Sequence, residues 1–273
     1  MPASEGANDL ALLTEAAQAA GKIAARHFGQ GPQTWDKGGG QGPVTEADLE
    51  IDAMLRARLM GARPGYGWLS EESADDPARL ARAQVFVVDP IDGTRAFIDG
   101  QKSFAHALAV VRHGAPVAAV VHLPLLDLTY AAARGQGAWL NGARLTVPLR
   151  KGLESGLEGA RVLAARPQLA PELWPGGVPP VERHFRPSLA WRLALVAEGA
   201  FDAMLTLRRT WDWDVAAASL IALEAGITVT DRAGLPPHFA RADPRSDGII
   251  AAAPGLHAAL MSRLRPGATS ASA

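Results

Sequence analysis

The chain has 273 residues, of which 48% are hydrophobic and 20% charged, a balance typical of a globular protein with a sizeable core. Its formal net charge of -1 excludes the basic field that attracts nucleic acid or an anionic membrane, so we expect neither as a partner. The absence of cysteine excludes disulfides, thiolate zinc sites and a catalytic thiol.

No targeting signal is evident in the sequence. The N-terminus carries acidic residues early and lacks the continuous apolar core of a signal peptide. No run approaches the roughly 20 apolar residues that span a bilayer. We therefore expect a cytoplasmic enzyme.

Two helices flank a loop in the first 60 residues. Apolar residues recur at helical spacing over 8–28, and a glycine- and proline-rich stretch over 29–43 predicts an exposed, mobile loop. Thr45 then caps a second helix, with Asp48 three positions further on. This arrangement would hold Lys37 on a flexible segment and Asp48 on a rigid one.

The next segment is predicted to be rich in strands. A short apolar strand over 85–88 ends at Asp89. Three further runs at 104–112, 115–124 and 127–134 alternate with turn signals and predict an antiparallel meander. Asn141-Gly142 then predicts a tight hairpin with a type I′ turn.

From about residue 160 the pattern changes to strands that alternate with helices. The predicted strands and helices are, in chain order, 160–166, 188–199, 201–207, 211–226, 248–254 and 256–264. The change predicts an N-terminal α+β half over 1–147, which carries the metal-binding motifs, and a C-terminal α/β half over 148–273, which completes the active site.

Acidic residues gather at the ends of these elements. Asp89 and Asp92 follow an apolar strand, Glu71 and Glu72 lie just before it, and Asp214 starts a helix. Each has an ordinary interpretation as a turn residue or a helix cap. Strand ends and helix N-termini are also where α/β folds gather their ligand sites.

These acids would suit a hard cation. Carboxylates without cysteine or an evident histidine pair favour magnesium over zinc, because hard oxygen ligands suit magnesium. Two ions between shared carboxylates would stabilise the attacking and leaving oxygens of a phosphoryl displacement. Gly93 and Thr94, at a following helix start, could supply backbone amides and a hydroxyl to the phosphate. The scattered histidines, His106 among them, show no ligand-like spacing, and we expect them to be structural or on the surface.

Three separated motifs resemble those of one family in the same order. "SEES" at 70–73, "DPIDGT" at 89–94 and "WDWDVAAASLIALEAG" at 211–226 are similar to segments of the inositol monophosphatase superfamily of magnesium-dependent, lithium-sensitive phosphatases. The resemblance extends from Lys37 to Pro254. It implies a five-layered αβαβα sandwich, a phosphoric monoester hydrolase that uses metal-activated water, two or three Mg²⁺ ions, a small phosphorylated substrate and a homodimer.

The resemblance also implies roles for individual residues. The implied ligands of a first magnesium ion are Glu71, Asp89 and the Ile91 carbonyl, and those of a second are Asp89, Asp92 and Asp214. Glu71 and Thr94 would orient the attacking water, and the amides of Gly93 and Thr94 would hold the phosphate. Asp48 would belong to the catalytic group, and with Lys37 it would form an outer part of the site that depends on a third metal.

The substrate is less clearly marked. Inositol monophosphatases usually place a glutamate seven residues before the "WD" aspartate, where this chain has Leu207. "LSEES" and "DPIDGTRAFI" look closer to bacterial 3′(2′),5′-bisphosphate nucleotidases. We therefore expect a nucleotidase acting on adenosine 3′,5′-bisphosphate. The alternatives are an inositol-1-phosphate or histidinol-phosphate phosphatase, and an inactive, metal-binding regulatory member.

Several residues near these motifs could contact substrate. Ser188 starts a helix that the family uses for this purpose, although it could simply cap that helix. A second phosphate could be bound by arginines, namely Arg186, Arg192, Arg208 or Arg209. Alternatively, these arginines are solvated or paired with Asp202 and Asp212.

Overall fold

A computed structural model of the chain describes residues 3–39, 42–146 and 156–265. The helices in these ranges are α1 (Ala3–His27), α2 (Glu46–Ala62), α3 (Thr94–Ile98), α4 (Leu189–Ala197), α5 (Asp212–Glu224) and α6 (Pro254–Leu264). The strands are β1 (Thr34–Asp36), β2 (Pro43–Thr45), β3 (Gly67–Ser70), β4 (Gln84–Asp92), β5 (Ala105–Arg112), β6 (Ala115–Leu123), β7 (Leu128–Ala133), β8 (Ala138–Leu140), β9 (Ala143–Arg144), β10 (Arg161–Leu163), β11 (Glu182–His184), β12 (Ala203–Trp211), β13 (Thr228–Thr230) and β14 (Arg245–Ala252).

Two large sheets and three helical layers alternate through the molecule. Helices α1 and α2 cover one face of a seven-stranded sheet, in the order β3-β4-β5-β6-β7-β8-β9. Helices α4 and α5 lie between this sheet and a five-stranded sheet, in the order β11-β10-β12-β14-β13. Helix α6 packs on the far side of the second sheet. The predicted five-layered αβαβα sandwich is confirmed.

The central strands are apolar on both faces because each face meets a helical layer. In β4, Phe86 and Val88 point into the core beneath α1 and α2, whereas Val85 and Val87 point toward α4 and α5. The alternation that a strand imposes on its side chains therefore divides one continuous apolar run between two cores. Strand β14 does the same between the inner and outer cores of the second sheet.

The predicted meander and hairpin are both present. Strands β5, β6 and β7 pair antiparallel in sequence order. Asn141 and Gly142 have φ values of 49° and 82°, as a type I′ turn requires, and they join β8 to β9. The Asn141 side chain also donates to the Asp127 carbonyl at 2.7 Å, so this turn is fixed from two sides.

Two local predictions are wrong in their extent. Strand β4 does not end at Asp89: it continues to Asp92, with an irregularity in its pairing to β5 between these two aspartates. Most of the described residues in the stretch 29–43 are exposed, as predicted, but Lys37 is partly buried and the stretch contains β1 and the start of β2, which pair antiparallel. Gly40 and Gln41 of the predicted glycine-rich loop lie outside the described residues.

The predicted division at residue 147 falls in the range 147–155, outside the described residues, and it stays a prediction. The seven-stranded sheet is built from residues before this range and the five-stranded sheet from residues after it. None of the helices in the described ranges is long and apolar enough to cross a membrane.

We predict that Gly248→Ala destabilises the protein more than Gly226→Ala does. Both glycines have positive φ, at 75° and 93°, and this conformation costs alanine roughly 1–2 kcal/mol. A Cβ at Gly248 would also lie 2.6 Å from the Thr206 carbonyl oxygen, opposite an irregularity in β12, whereas one at Gly226 meets open space. Overpacking adds about 1–3 kcal/mol. Urea unfolding measures the two losses, and equal losses would contradict the packing at β12.

Candidate active site

Three carboxylates from separate parts of the chain converge on one point. Glu71 follows β3, Asp89 lies in β4, and Asp214 is in the first turn of α5. One oxygen from each lies within 4.8 Å of the other two. Strands β3 and β4 are parallel neighbours, with Ser70 opposite Val88, so their carboxyl ends bring Glu71 and Asp89 together.

The electrostatics of this cluster call for a positive charge. Burial raises the pKa of Asp89 well above its usual value, and the nearby charges of Glu71, Asp92 and Asp214 raise it further. Burial together with Asp92 and Glu71 does the same for Asp214. Within the described part of the chain, Asp89 Oδ1 is buried and has no hydrogen-bond partner. A buried carboxylate oxygen of this kind is costly unless a cation compensates it, and three hard oxygen donors fit Mg²⁺.

Lys37 lies against the acidic pair that follows β3. Its ammonium donates to Glu71 Oε1 at 2.7 Å and to Glu72 Oε1 at 2.6 Å. Burial works against the charge of Lys37, but the two glutamates outweigh it and the pKa is raised. Burial and the charge of Glu71 raise the pKa of Glu72 to about 7. Lys37 is therefore at the site, joined to it through both glutamates.

Asp48 is held rigidly, as its place in a capped helix predicts. Its Oδ2 accepts hydrogen bonds from the Thr45 N–H at 2.9 Å and from the Thr45 hydroxyl at 2.5 Å, which completes a capping box. Burial raises the pKa of Asp48 to about 6, against the effect of these hydrogen bonds. The Thr94 hydroxyl lies 3.4 Å from Asp48 Oδ1 and 3.1 Å from the Ile91 carbonyl oxygen, so these three residues adjoin one another.

Gly93 makes the turn between β4 and α3. Its φ of 102° is a conformation that glycine adopts without strain, and it is the N-cap residue of the helix that begins at Thr94. This turn places Gly93 and Thr94 directly after Asp92.

Asp92 lies near the three converging carboxylates but outside their group. Its Oδ2 accepts hydrogen bonds from the Ser188 hydroxyl at 2.6 Å and from the Ala190 N–H at 2.7 Å. Ser188 also caps α4, because its hydroxyl accepts from the Trp191 N–H at 2.9 Å. Burial raises the pKa of Asp92 to about 6, although these hydrogen bonds oppose the increase. Asp92 thus connects the end of β4 to the N-terminus of α4.

The guanidinium groups of Arg192 and Arg209 have hydrogen-bond or ion-pair partners, whereas that of Arg208 has none among the described residues. Arg192 is buried, and its guanidinium donates to the Arg186 and Pro187 carbonyls at 2.5 and 3.2 Å. Arg209 forms an ion pair with Asp243. Arg208 is exposed, and among the described residues its side chain shows no hydrogen bond or ion pair. Burial raises the pKa of Asp214 and lowers that of Arg192, and the charge of Arg208 acts to lower both, so Arg208 lies within electrostatic range of the two residues.

Sequence reasoning missed one buried residue that supports this site. Asp52 lies one turn after Asp48 on α2 and binds the serines on either side of the Glu71-Glu72 pair. The helical spacing of Asp48 and Asp52 was the available signal.

His106 is buried, as a structural residue would be, and its Nδ1 lies 2.5 Å from the Pro90 carbonyl oxygen. Burial lowers the pKa of His106 to about 3, so a neutral ring donates this hydrogen bond.

The sandwich and its converging carboxylates fit a phosphatase that uses a metal ion, and sequence comparison places the chain in a family of phosphatases. The model of the inositol monophosphatase family matches residues 7–268. An inositol-1-monophosphatase from Rhizobium meliloti is 37% identical, over 82% of this chain and 86% of the relative. A histidinol-phosphatase from Mycobacterium tuberculosis is 32% identical, over 95% of this chain and 99% of the relative. A 3′(2′),5′-bisphosphate nucleotidase from Aggregatibacter actinomycetemcomitans is 31% identical, over 69% of this chain and 72% of the relative.

Solved structures agree with the fold. The extragenic suppressor protein suhB from Bartonella henselae superposes with a TM-score of 0.81 at 30% identity, covering 95% of this chain and 99% of that one. The chain belongs to the inositol monophosphatase family, and its predicted class, phosphoric monoester hydrolase, is confirmed. Members of this family are generally dependent on Mg²⁺.

We predict that Asp89→Asn lowers turnover at least about a hundredfold, because it removes a charge from the centre of the carboxylate cluster. The same change should stabilise the metal-free protein at pH 8. The raised pKa means that the folded state binds protons more tightly than the unfolded chain, so the free energy of unfolding falls as pH rises above 3.8, the usual value. A neutral amide avoids this loss.

Thermal unfolding of the metal-free wild type and variant at pH 5 and pH 8 tests the second part of this prediction. The advantage of the variant should be larger at pH 8 than at pH 5. Turnover close to that of the wild type, or a variant less stable than the wild type at pH 8, would contradict the electrostatic description of the site.

Proposed function

We propose that this phosphatase removes one phosphate from a small ester that carries a second anionic group, and that adenosine 3′,5′-bisphosphate is its substrate. The position of Arg208 carries this proposal. Its guanidinium is exposed and within electrostatic range of Asp214, and no acidic partner engages it among the described residues. A guanidinium in that position can bind a phosphate through two parallel hydrogen bonds. Its neighbour Arg209 is already paired with Asp243.

The position of Leu207 argues against a site built for a polyol. Leu207 is 4% exposed and packs in the outer core of the five-stranded sheet, and its N–H donates to the Gln168 side chain at 2.6 Å. A carboxylate that would bind a ring hydroxyl is therefore missing at this position. A pocket that lacks such a partner discriminates poorly in favour of a polyol.

An exposed aromatic ring, that of Phe185, lies four residues before the start of α4. Phe185 is 48% exposed, and its ring centroid lies 4.4 Å from Cζ of Arg192. An exposed ring supported by a guanidinium offers a flat surface on which a nucleobase can stack. This favours a nucleotide over a sugar phosphate.

The residues of the cluster would divide the catalytic work as follows. Glu71, Asp89 and Asp214 would hold two or three Mg²⁺ ions, with Asp92 and the Ile91 carbonyl completing the ligand set. Bound Mg²⁺ would supply Lewis-acid stabilisation of the charge that develops on the phosphate oxygens. Glu71 and the Thr94 hydroxyl would orient the attacking water, and the N–H groups of Gly93 and Thr94 would bind the phosphate.

The outer residues would support this arrangement. Lys37 would balance the charge of Glu71 and Glu72, and Asp48 would orient Thr94 through the contact between their oxygens. Ser188 would act indirectly, because its hydroxyl is committed to Asp92 and to the cap of α4. Arg192 would fix the segment before α4 and leave the direct phosphate contact to Arg208.

A second candidate is inositol-1-phosphate hydrolysis. It is favoured by the 37% identity to the Rhizobium meliloti inositol-1-monophosphatase. Histidinol phosphate stays an alternative within the same chemistry. An inactive member is disfavoured, because the carboxylates and Thr94 are all in place. A homodimer stays a prediction of the family resemblance, and a cytoplasmic location stays a prediction from the sequence.

Replacing Arg208 tests the substrate assignment. We expect Arg208→Ala to lower kcat/KM for adenosine 3′,5′-bisphosphate by about 10- to 100-fold, which corresponds to roughly 1.4–2.7 kcal/mol. It should leave kcat/KM for inositol 1-phosphate within about threefold. Arg209→Ala is the matched control, because its side chain is paired elsewhere, and it should change neither value appreciably.

Phosphate release from the wild type, with Mg²⁺ and each substrate in turn, gives the reference. A preference of about a hundredfold for the bisphosphate would support a nucleotidase. A preference for inositol 1-phosphate, or an equal loss on both substrates in Arg208→Ala, would overturn the assignment of Arg208 to a second phosphate.

A further inference from the structure

We propose that Asp52 is a positioning residue that holds Glu71 in place for metal binding. This inference rests on the proposed role of Glu71 as a ligand. Asp52 lies on α2 behind the turn that carries Glu71 and Glu72, and its carboxylate binds the residues at both ends of that turn. It therefore acts on the metal site through the backbone of the turn, without contacting the ion.

The contacts of Asp52 are made with both of its oxygens. Oδ1 accepts a hydrogen bond from the Ser70 hydroxyl at 2.5 Å, and Oδ2 accepts one from the Ser73 hydroxyl. The indole of Trp68 also donates to the Ser73 hydroxyl, at 3.3 Å. Because the carboxylate is planar and rigid, it fixes the separation of Ser70 and Ser73, which are the residues on either side of the acidic pair.

The turn needs such a restraint because of the charges it carries. Glu71 and Glu72 are adjacent carboxylates, and Glu71 also approaches Asp89 and Asp214. Lys37 supplies a single positive charge through its ion pairs with Glu71 and Glu72, so the four carboxylates still repel one another and favour opening of the turn. Inside it, the restraining backbone contacts are long: the Glu71 N–H donates to the Val88 carbonyl at 3.2 Å, and the Glu72 N–H donates to the Ser70 hydroxyl at 3.4 Å.

Asp52 also connects the turn to a rigid element. It lies one helical turn after Asp48, and both side chains are buried. The capping box of Thr45 and Asp48 fixes the start of the same helix. One helix therefore sets both the Asp48–Thr94 contact and the position of Glu71. The partners of a metal ligand typically change metal affinity 10- to 100-fold when they are removed.

A purely structural role for Asp52 makes a different prediction. If Asp52 only tied β3 to α2, its loss would lower the melting temperature and leave the metal affinity of the folded protein unchanged. Asp9 provides the matched control. It is also a buried aspartate with two donors, accepting from Arg63 and Tyr66 at 3.0 Å each, and no contact with the turn is found among the described residues.

The test measures Mn²⁺ binding to the metal-free full chain by electron paramagnetic resonance, together with the rise in melting temperature on adding Mg²⁺. We expect Asp52→Ala to weaken Mn²⁺ binding about 10- to 100-fold and to reduce the Mg²⁺-induced rise. Asp52→Asn, which keeps one acceptor, should give an intermediate loss. Asp9→Ala should lower the melting temperature but leave Mn²⁺ affinity within about twofold.

Ser73→Ala, alone and combined with Asp52→Ala, tests the same contact in case Asp52→Ala does not fold. Ser73→Ala removes one hydroxyl and should weaken Mn²⁺ binding in the same direction as Asp52→Ala. Combining the two substitutions should add little further loss, because both break the same contact. Unchanged Mn²⁺ affinity in folded Asp52→Ala or Ser73→Ala would overturn the proposal. A wild-type protein that binds no Mn²⁺ at millimolar concentration would overturn the proposed metal site, and this inference with it.

Discussion

The main physical constraint on this structure is that three carboxylates lie close together at a partly buried point between the two sheets. One oxygen from each of Glu71, Asp89 and Asp214 lies within 4.8 Å of the other two, and burial together with the charges of Glu71 and Asp92 raises the pKa of both Asp89 and Asp214. Such a cluster would be driven apart or protonated unless the fold held it and a cation compensated it. The family's dependence on Mg²⁺ is thus an expected consequence of this arrangement.

Different secondary-structure elements position the acids in and near the cluster. The parallel pairing of β3 and β4 places Glu71 beside Asp89, the first turn of α5 brings in Asp214, and the start of α4 binds Asp92. The Asp92–Ser188 contact joins residues that are 96 positions apart, so the site is complete only when both sheets are assembled. We infer that folding and formation of the site are closely coupled.

Local signals in the sequence were sufficient where the structure is determined locally. Asn141-Gly142 has a backbone preference that fixes its turn, and Thr45 and Asp48 satisfy each other within one helical turn. The extension of β4 past Asp89 depends on its pairing with β5, and Asp52 binds serines 18 and 21 positions away, so local patterns could not reveal these partners. The motifs contain the three acids, Glu71, Asp89 and Asp214, that the fold brings together. Only the fold showed that Leu207 packs in the outer core, whereas the next residue, Arg208, is exposed.

The most direct test of this account is a crystal structure of the protein grown or soaked with Mn²⁺, examined by anomalous difference density at the manganese edge. We predict a peak at coordination distance from carboxylate oxygens of Glu71, Asp89 and Asp214, with the Lys37 ammonium displaced from Glu71. Density elsewhere on the surface, with these three carboxylates free of metal at millimolar Mn²⁺, would contradict the claim that the cluster exists to bind a cation.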